Sequence, residues 1–278
     1  MSSSAATAHP LETLAELTTK FEASVLECLA NPRKRSVHHL RTSTRRIEAQ
    51  LELLSLLPDL PPHKKPGNRA LKLLGKIRQA AGKVRDLDVQ DDLIRKQGSS
   101  KTASAAFRDE ANKLGVALRK ERADEANSLT ELLHKQETKL PTTVQELLDA
   151  LAPAKTVAMT ESSLIELVRT WYAENVPALP PPSAEKSESS TERLHDIRKK
   201  AKLARYLAES APKKAVKARR LAARYEDLQQ AGGEWHDWLL LAELATDHLG
   251  KSSMLAAHFH ANADKALRAY QRRLTKKI

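Results

Sequence analysis

The chain is poor in the residues that build most folds other than helical ones. Its single cysteine, Cys28, leaves no intrachain disulfide and no cysteine metal cluster open to it. In a helical pattern beside Leu26 and Leu29, that cysteine reads as a small buried hydrophobe. Glycine numbers only 8 in 278 residues, and aromatic side chains make up 4%. Sheet domains need branched and aromatic residues separated by turn glycines, so an all-β fold is excluded. No apolar run approaches the ~20 residues needed to cross a bilayer; the best stretch, residues 238–242, stops at Glu243. The opening residues, Met1 to Ala8, are small and polar and do not form a secretory leader, so a cytoplasmic location is expected. A GxxxxGK[ST] loop, an HExxH pair and a cysteine nucleophile beside a base are all missing, so the expectation is a protein that is not an enzyme and needs no cofactor.

What is present is Ala, Leu, Lys, Arg and Glu in quantity, with 41% hydrophobic residues. Unbranched side chains lose little rotamer freedom in a helix, so the fold class expected is all-α. Lys plus Arg number 47 against 35 acidic residues, a net charge of +12. That excess attracts polyanions in general, whether nucleic acid, anionic lipid or polyphosphate, and charge alone does not choose among them.

Apolar periodicity and breakers predict helices over residues 11–29, 36–58 and 68–97, and one from the Gly98-Ser99-Ser100 cluster to about residue 136. A short connector helix at 144–151 is followed by helices at 162–175, 191–210, 212–231, 234–249 and 252–277. The proline- and serine-containing stretch 177–190 reads as an exposed flexible loop. A break is expected at Gly232-Gly233, with Trp235 and Trp238 as packing residues beside it.

An internal repeat organises this series. Val37-His38-His39-Leu40-Arg41 returns as Leu194-His195-Asp196-Ile197-Arg198, 157 residues on. Gln79-Ala80-Ala81-Gly82 with Arg85-Asp86 returns as Gln230-Ala231-Gly232-Gly233 with His236-Asp237, 151 residues on. Two ordered motifs suggest two helical bundles, residues 1–155 with the connector and residues 156–278, related by an approximate twofold.

Each copy of HxxR lies on a polar face. On a wheel of about 100° per residue, Lys34, His38, Arg41 and Arg45 fall opposite Val37, Leu40, Ile47, Leu51 and Leu54. His195, Arg198, Lys199, Lys202 and Arg205 fall opposite Ile197, Ala201, Ala204 and Ala208. Further basic rows are Arg69, Lys72, Lys76 and Lys83; Lys213, Lys217, Arg220 and Arg224; and His258, Lys265, Arg268, Arg272 and Lys276. Like charges at this spacing repel. A single row is ordinarily a solvated face, but a motif repeated in phase asks for an anionic partner, and arginine offers phosphate a fork of donors.

Here the sequence resembles the CHAD family, named for a histidine-bearing α-helical domain. The resemblance rests on His38, Arg41, Arg45 and Arg46, on Leu74-Gly75 and Arg85-Asp86-Leu87-Asp88-Val89, and on His195, Arg198, Lys199, Lys202, Arg205 and Tyr206. It runs from about residue 11 to 277 and departs from the family at His39, Leu203 and His236. It implies two four-helix bundles around a basic central groove or pore that binds inorganic polyphosphate without hydrolysing it. It also implies association with polyphosphate granules, no segment being left over for a triphosphate-processing partner domain. The expected central contacts are His38, Arg41, Arg45, Arg46, His195, Arg198, Lys199, Lys202 and Arg205, with Lys72, Lys76, Lys217, Arg220 and Arg224 outside them.

Metal binding is the second reading of the histidines, but His258 and His260 point about 200° apart on a helix and His38 and His195 sit among arginines. Asp86, Asp88, Asp91 and Asp92 are expected to pair with Arg85 and Arg95. Nucleic acid is the serious competitor, although the scarcity of aromatic stacking platforms weighs mildly for a ligand made only of phosphate; weak, salt-sensitive nucleic-acid binding follows from charge alone. Membrane association ranks last.

Overall fold

The computed structural model describes residues 7–58, 60–179 and 188–275. Its contacts divide the chain into two compact units, one of Met1–Asp91 with Ala117–Thr160, the other of Asp92–Val116 with Glu161–Ile278. The segment 92–116, contiguous in sequence with the first half, is therefore grouped with the second unit.

In the first unit, helix α1 (Pro10–Ala30) starts with its proline at the first helical position, where a missing N–H is harmless. It buries Leu11, Leu14, Phe21, Val25 and Cys28, a three-and-four spacing that defines one face. Burial pushes the Cys28 thiol up to about 11, so it is an inert core group. Asn31 and Pro32 end α1, and α2 (Lys34–Ser55) returns beside it. Ser36, expected to start this helix, lies inside its first turn and donates to the Asn31 and Arg33 carbonyls, which ties the turn. Val37, Leu40, Ile47, Leu51 and Leu54 are all buried, each contributing about 1.5–3 kcal/mol. Gln50 is buried too, and its amide donates to the Pro10 carbonyl at 2.8 Å.

Helix α3 (Lys64–Gly98) begins four residues before the expected start, because Pro66 is tolerated in a first turn that needs no N–H from it. Helix α4 (Ala105–Gln136) returns, and α5 (Lys139–Leu151) absorbs Pro141 in the same way. Val84 and Ile77 of α3, Leu129 and Leu133 of α4, and Leu147 and Leu151 of α5 join α1 and α2 in one core. A feature outside the all-helical expectation is a two-residue antiparallel pairing of β1 (Thr7–Ala8) with β2 (Met159–Thr160), which clips the two ends of this unit together.

In the second unit, α6 (Glu161–Asn175), α7 (Glu188–Ala208), α8 (Val216–Leu249) and α9 (Met254–Leu274) pack around Trp171, Tyr225, Trp235, Phe259 and Tyr270. The stretch read as a loop falls partly on 180–187, outside the described residues, and α7 already begins at Glu188. The expected break at Gly232-Gly233 does not occur: α8 runs through it for 34 residues. Two glycines cost a helix about 1 kcal/mol each relative to alanine. Packing overrides that penalty, because Trp235 stacks on Tyr270 at 5.9 Å and Gly232 lies directly beneath the same ring. At its other end α8 starts at Val216, so Lys213 sits in a turn and not on the helical row. Glu161 accepts from the Lys217 and Ala218 amides at 2.7 and 3.0 Å and fixes that start. The 92–116 segment is tied to α9, where the Glu110 carboxylate accepts from Ser253 and from the Leu255 amide.

Candidate anion-binding site

Each unit holds one copy of HxxR, and in each the arginine crosses a glycine on the neighbouring long helix. In the first unit Arg41 of α2 lies over Gly82 of α3, with its Nε 3.5 Å from where a β-carbon would stand. Its Nη2 meets Asp86 at 3.4 Å, and its buried Nε makes no hydrogen bond. His38 is exposed on the same face of α2, one turn before, and Arg45 one turn after is half-buried. Arg46 lies about 80° round the helix from His38 and lines the seam between α1 and α2.

In the second unit Arg198 of α7 passes over Gly232 of α8, its Cγ 3.1 Å from a notional β-carbon. By contact the partner of Gly82 is thus Gly232, one residue earlier than the motif alignment places it. Arg198 Nη2 lies 3.5 Å from His195 Nδ1, and the His195 ring packs against His236 at 4.5 Å. Burial, and then the charges of Arg198 and Lys199, pull the His195 pKa down to about 4. At neutral pH this imidazole is uncharged. With Nδ1 turned to a guanidinium, Nε2 carries the proton and is the ring's donor. Lys199 pairs with Asp196 at 3.0 Å on the solvent side, and Lys202 is half-buried on the same face as His195.

Arg205 is engaged differently. Its guanidinium meets Glu209 at 2.7 Å, Glu226 at 3.0 Å and Gln229 at 3.2 Å. At the 157-residue separation it stands where the first copy has Glu48, and Glu48 receives Arg78 of α3 at 2.7 Å. Both copies therefore clasp the two helices at this level with the charges exchanged, and a phosphate on Arg205 would compete with three acceptors.

The outer rows are not gathered onto these faces. Lys217, Arg220 and Arg224 lie roughly 200° around α8 from Glu226, Gln229 and His236, the residues that meet α7. Lys72 and Lys76, both exposed, lie roughly a quarter turn from the α3 residues that meet α2. Their row-mates Arg69 and Lys83 pair with Glu146 and Glu125 at 2.8 and 2.9 Å. Lys276 lies outside the described residues.

Three of the aspartates, expected to pair with Arg85 and Arg95, meet arginines on neighbouring helices. Asp86 reaches Arg41, Asp88 reaches Arg122 at 3.1 Å and Asp91 reaches Arg119 at 2.9 Å. His258 turns to Gln97 and Asn262, and His260 to Thr246. Among the described residues no group of three or more His, Cys, Asp or Glu is arranged to hold a metal ion. No described helix is long and apolar enough to cross a membrane. The sequence missed Gly82, Gly232 and Tyr270 as supports for the arginines; the glycines stood in the repeated motif, but nothing in the pattern said that they face the HxxR helix.

The fold is thus all-helical, with a basic HxxR face in each of its two units. Residues 12–246 match the CHAD domain, and the chain belongs to the CHAD-domain family. It is similar to the crystal structure of the CHAD domain from the plant Ricinus communis, with a TM-score of 0.65 at 15% identity over 99% of this chain and 94% of that one. It is also similar to PptA from Streptomyces chartreusis, with a TM-score of 0.59 at 15% identity over 96% of this chain and 98% of that one. No curated protein matches the sequence.

Proposed function

We propose that the chain binds inorganic polyphosphate through the two HxxR faces and does not turn it over. The observation that carries this reading is the repeated seating of an HxxR arginine on a glycine of the next helix, Arg41 on Gly82 and Arg198 on Gly232. An arginine packed on a bare backbone, by its guanidinium at Gly82 and by its Cγ at Gly232, has given up part of its side-chain freedom before the ligand arrives, which lowers the entropy lost on binding. Membership of a family whose resemblance implies polyphosphate supports the ligand class.

The central contacts proposed are His38, Arg41 and Arg45 in one unit and His195, Arg198, Lys199 and Lys202 in the other; Arg46, turned into the α1–α2 seam, stands apart from them. Arg205 joins them to the extent that it leaves its three acceptors. Lys72, Lys76, Lys217, Arg220 and Arg224 are outer contacts met by a long chain. A polymer engages both faces and gains from effective concentration without any new contact. The finer parts of the reading belong to the same proposal: two four-helix bundles related by a twofold around a basic groove or pore, a cytoplasmic location and association with polyphosphate granules.

The use made of the nearby carboxylates supports a reading of capture without hydrolysis. Asp86, Asp88 and Asp91 each face an arginine, whereas phosphoryl transfer needs carboxylates that hold Mg²⁺. The experiment is a titration with long-chain polyphosphate in the presence of excess single-stranded DNA at fixed salt. Binding that survives the DNA supports a dedicated phosphate site; equal competition replaces it with generic nucleic-acid binding.

A further inference from the structure

Arg46 breaks the repeat, because Leu203 stands at the matching position in the second copy. It also leaves the HxxR face and lines a cleft of about 270 Å³ in the seam between α1 and α2. The helices run antiparallel there, so the lining residues form facing pairs. Lys20 and Arg46 sit at one end, Ser24 and Ser43 share a hydrogen bond of 3.1 Å across the floor, and Glu27 meets His39 at 3.5 Å at the other end. In the seam between α6 and α7, Lys200 packs its ammonium over the Trp171 ring at 5.5 Å.

We infer that the α1–α2 seam is a second, separate anion site that takes one terminal phosphate group, held between Lys20 and Arg46. The chemistry at that end is two cations of different reach. Arginine offers a planar fork to two phosphate oxygens and lysine a movable point charge to the third. Lys20 is available for this, because its partner Glu16 is a fully solvated pair at 3.4 Å with both side chains about two-thirds exposed. Glu27 does not oppose the anion, being at the far end and turned to His39. A terminal phosphate carries more charge than an internal one and presents three free oxygens, which suits a short cleft better than an open track. The group has two sources, the end of a phosphate chain or a small free phosphomonoester. Only the first source rests on the proposed polyphosphate function.

The test uses the full chain and two probes, glycerol phosphate and tripolyphosphate, by calorimetric titration at low salt. Both are measured on wild type, on Lys20→Ala/Arg46→Ala and on Arg41→Ala/Arg198→Ala. Replacing the two cations of the seam is expected to weaken probe binding by at least ~10-fold with an unchanged melting temperature, since both side chains are exposed. Loss seen with tripolyphosphate alone assigns the chain end, and loss seen with both probes assigns phosphomonoesters generally. Glycerol phosphate binding is expected to persist in Arg41→Ala/Arg198→Ala even if that variant no longer binds long chains, which separates this site from the HxxR faces. Equal binding of both probes to wild type and to the Lys20/Arg46 variant overturns the inference, as does failure of both probes to bind wild type.

Discussion

Arg198 and Tyr270 meet above Gly232. A β-carbon placed on that glycine would stand 2.8 Å from the tyrosine ring and 3.1 Å from the arginine Cγ. The tyrosine cannot easily yield, because the ring stacks on Trp235 and its hydroxyl donates to the Leu194 carbonyl at 3.1 Å. Gly232→Ala is therefore expected to destabilise the protein by about 1–2 kcal/mol, an overpacking cost only partly offset by better helix propensity.

Gly82→Ala makes the opposite prediction at the corresponding place. Its β-carbon would find only the Arg41 guanidinium, at 3.5 and 3.9 Å, which is ordinary contact. Thermal melts should show this variant unchanged or stabilised by up to about 1 kcal/mol. A loss in Gly82→Ala equal to that in Gly232→Ala would mean that the two crossings are not what the geometry describes.

Arg205 and Arg198 should separate in a salt titration. Removing one cation that neutralises a phosphate lowers the slope of log affinity against log salt by about 0.7–0.9. Arg198→Ala is expected to lower it. Arg205→Ala is expected to leave the slope nearly unchanged while costing about 1–3 kcal/mol of stability, because Glu226 and Glu209 lose their cation. A slope change in Arg205→Ala as large as that in Arg198→Ala would make it a ligand residue first.

The His195 imidazole gives a pH dependence with a definite sign. Its pKa lies near 4 in the fold against 6.5 for the free side chain, through burial and then Arg198 and Lys199, with Asp196 opposing and His236 packed on the ring. The unfolded chain takes up the proton first, so this group's contribution is fully present above about pH 6.5 and is lost as pH falls toward 4. His195→Gln should lose less melting temperature than wild type between neutral and mildly acidic buffer. A bound polyanion raises the imidazole pKa, so wild-type affinity should climb as pH falls toward 5 and the variant's should climb less.

Much of this was legible in the sequence. The apolar stripes of α2 and α7 lie where their periodicity places them, because a face that alternates every three or four residues has only one side to bury. The phase of HxxR on the opposite side followed from the same arithmetic. What periodicity could not supply was the meeting of one helix with another. It marked Gly232-Gly233 as a break, where Tyr270, 38 residues later, turns one of those glycines into a packing surface. It counted Arg205 among the free cations, since Glu226 and Gln229 approach from another helix. It joined Lys213 to the α8 row because nothing nearby announced that Glu161 caps the helix four residues further on.

The most direct measurement compares long-chain polyphosphate affinity across wild type, Arg41→Ala, Arg198→Ala and the double variant at one salt concentration, with melting temperatures alongside. If both faces hold one polymer, each single change weakens binding and the double variant falls by roughly 100-fold, about 2.7 kcal/mol, while remaining folded. A folded double variant that binds as tightly as wild type would contradict the account, since the repeated motif would then not be where the phosphate sits.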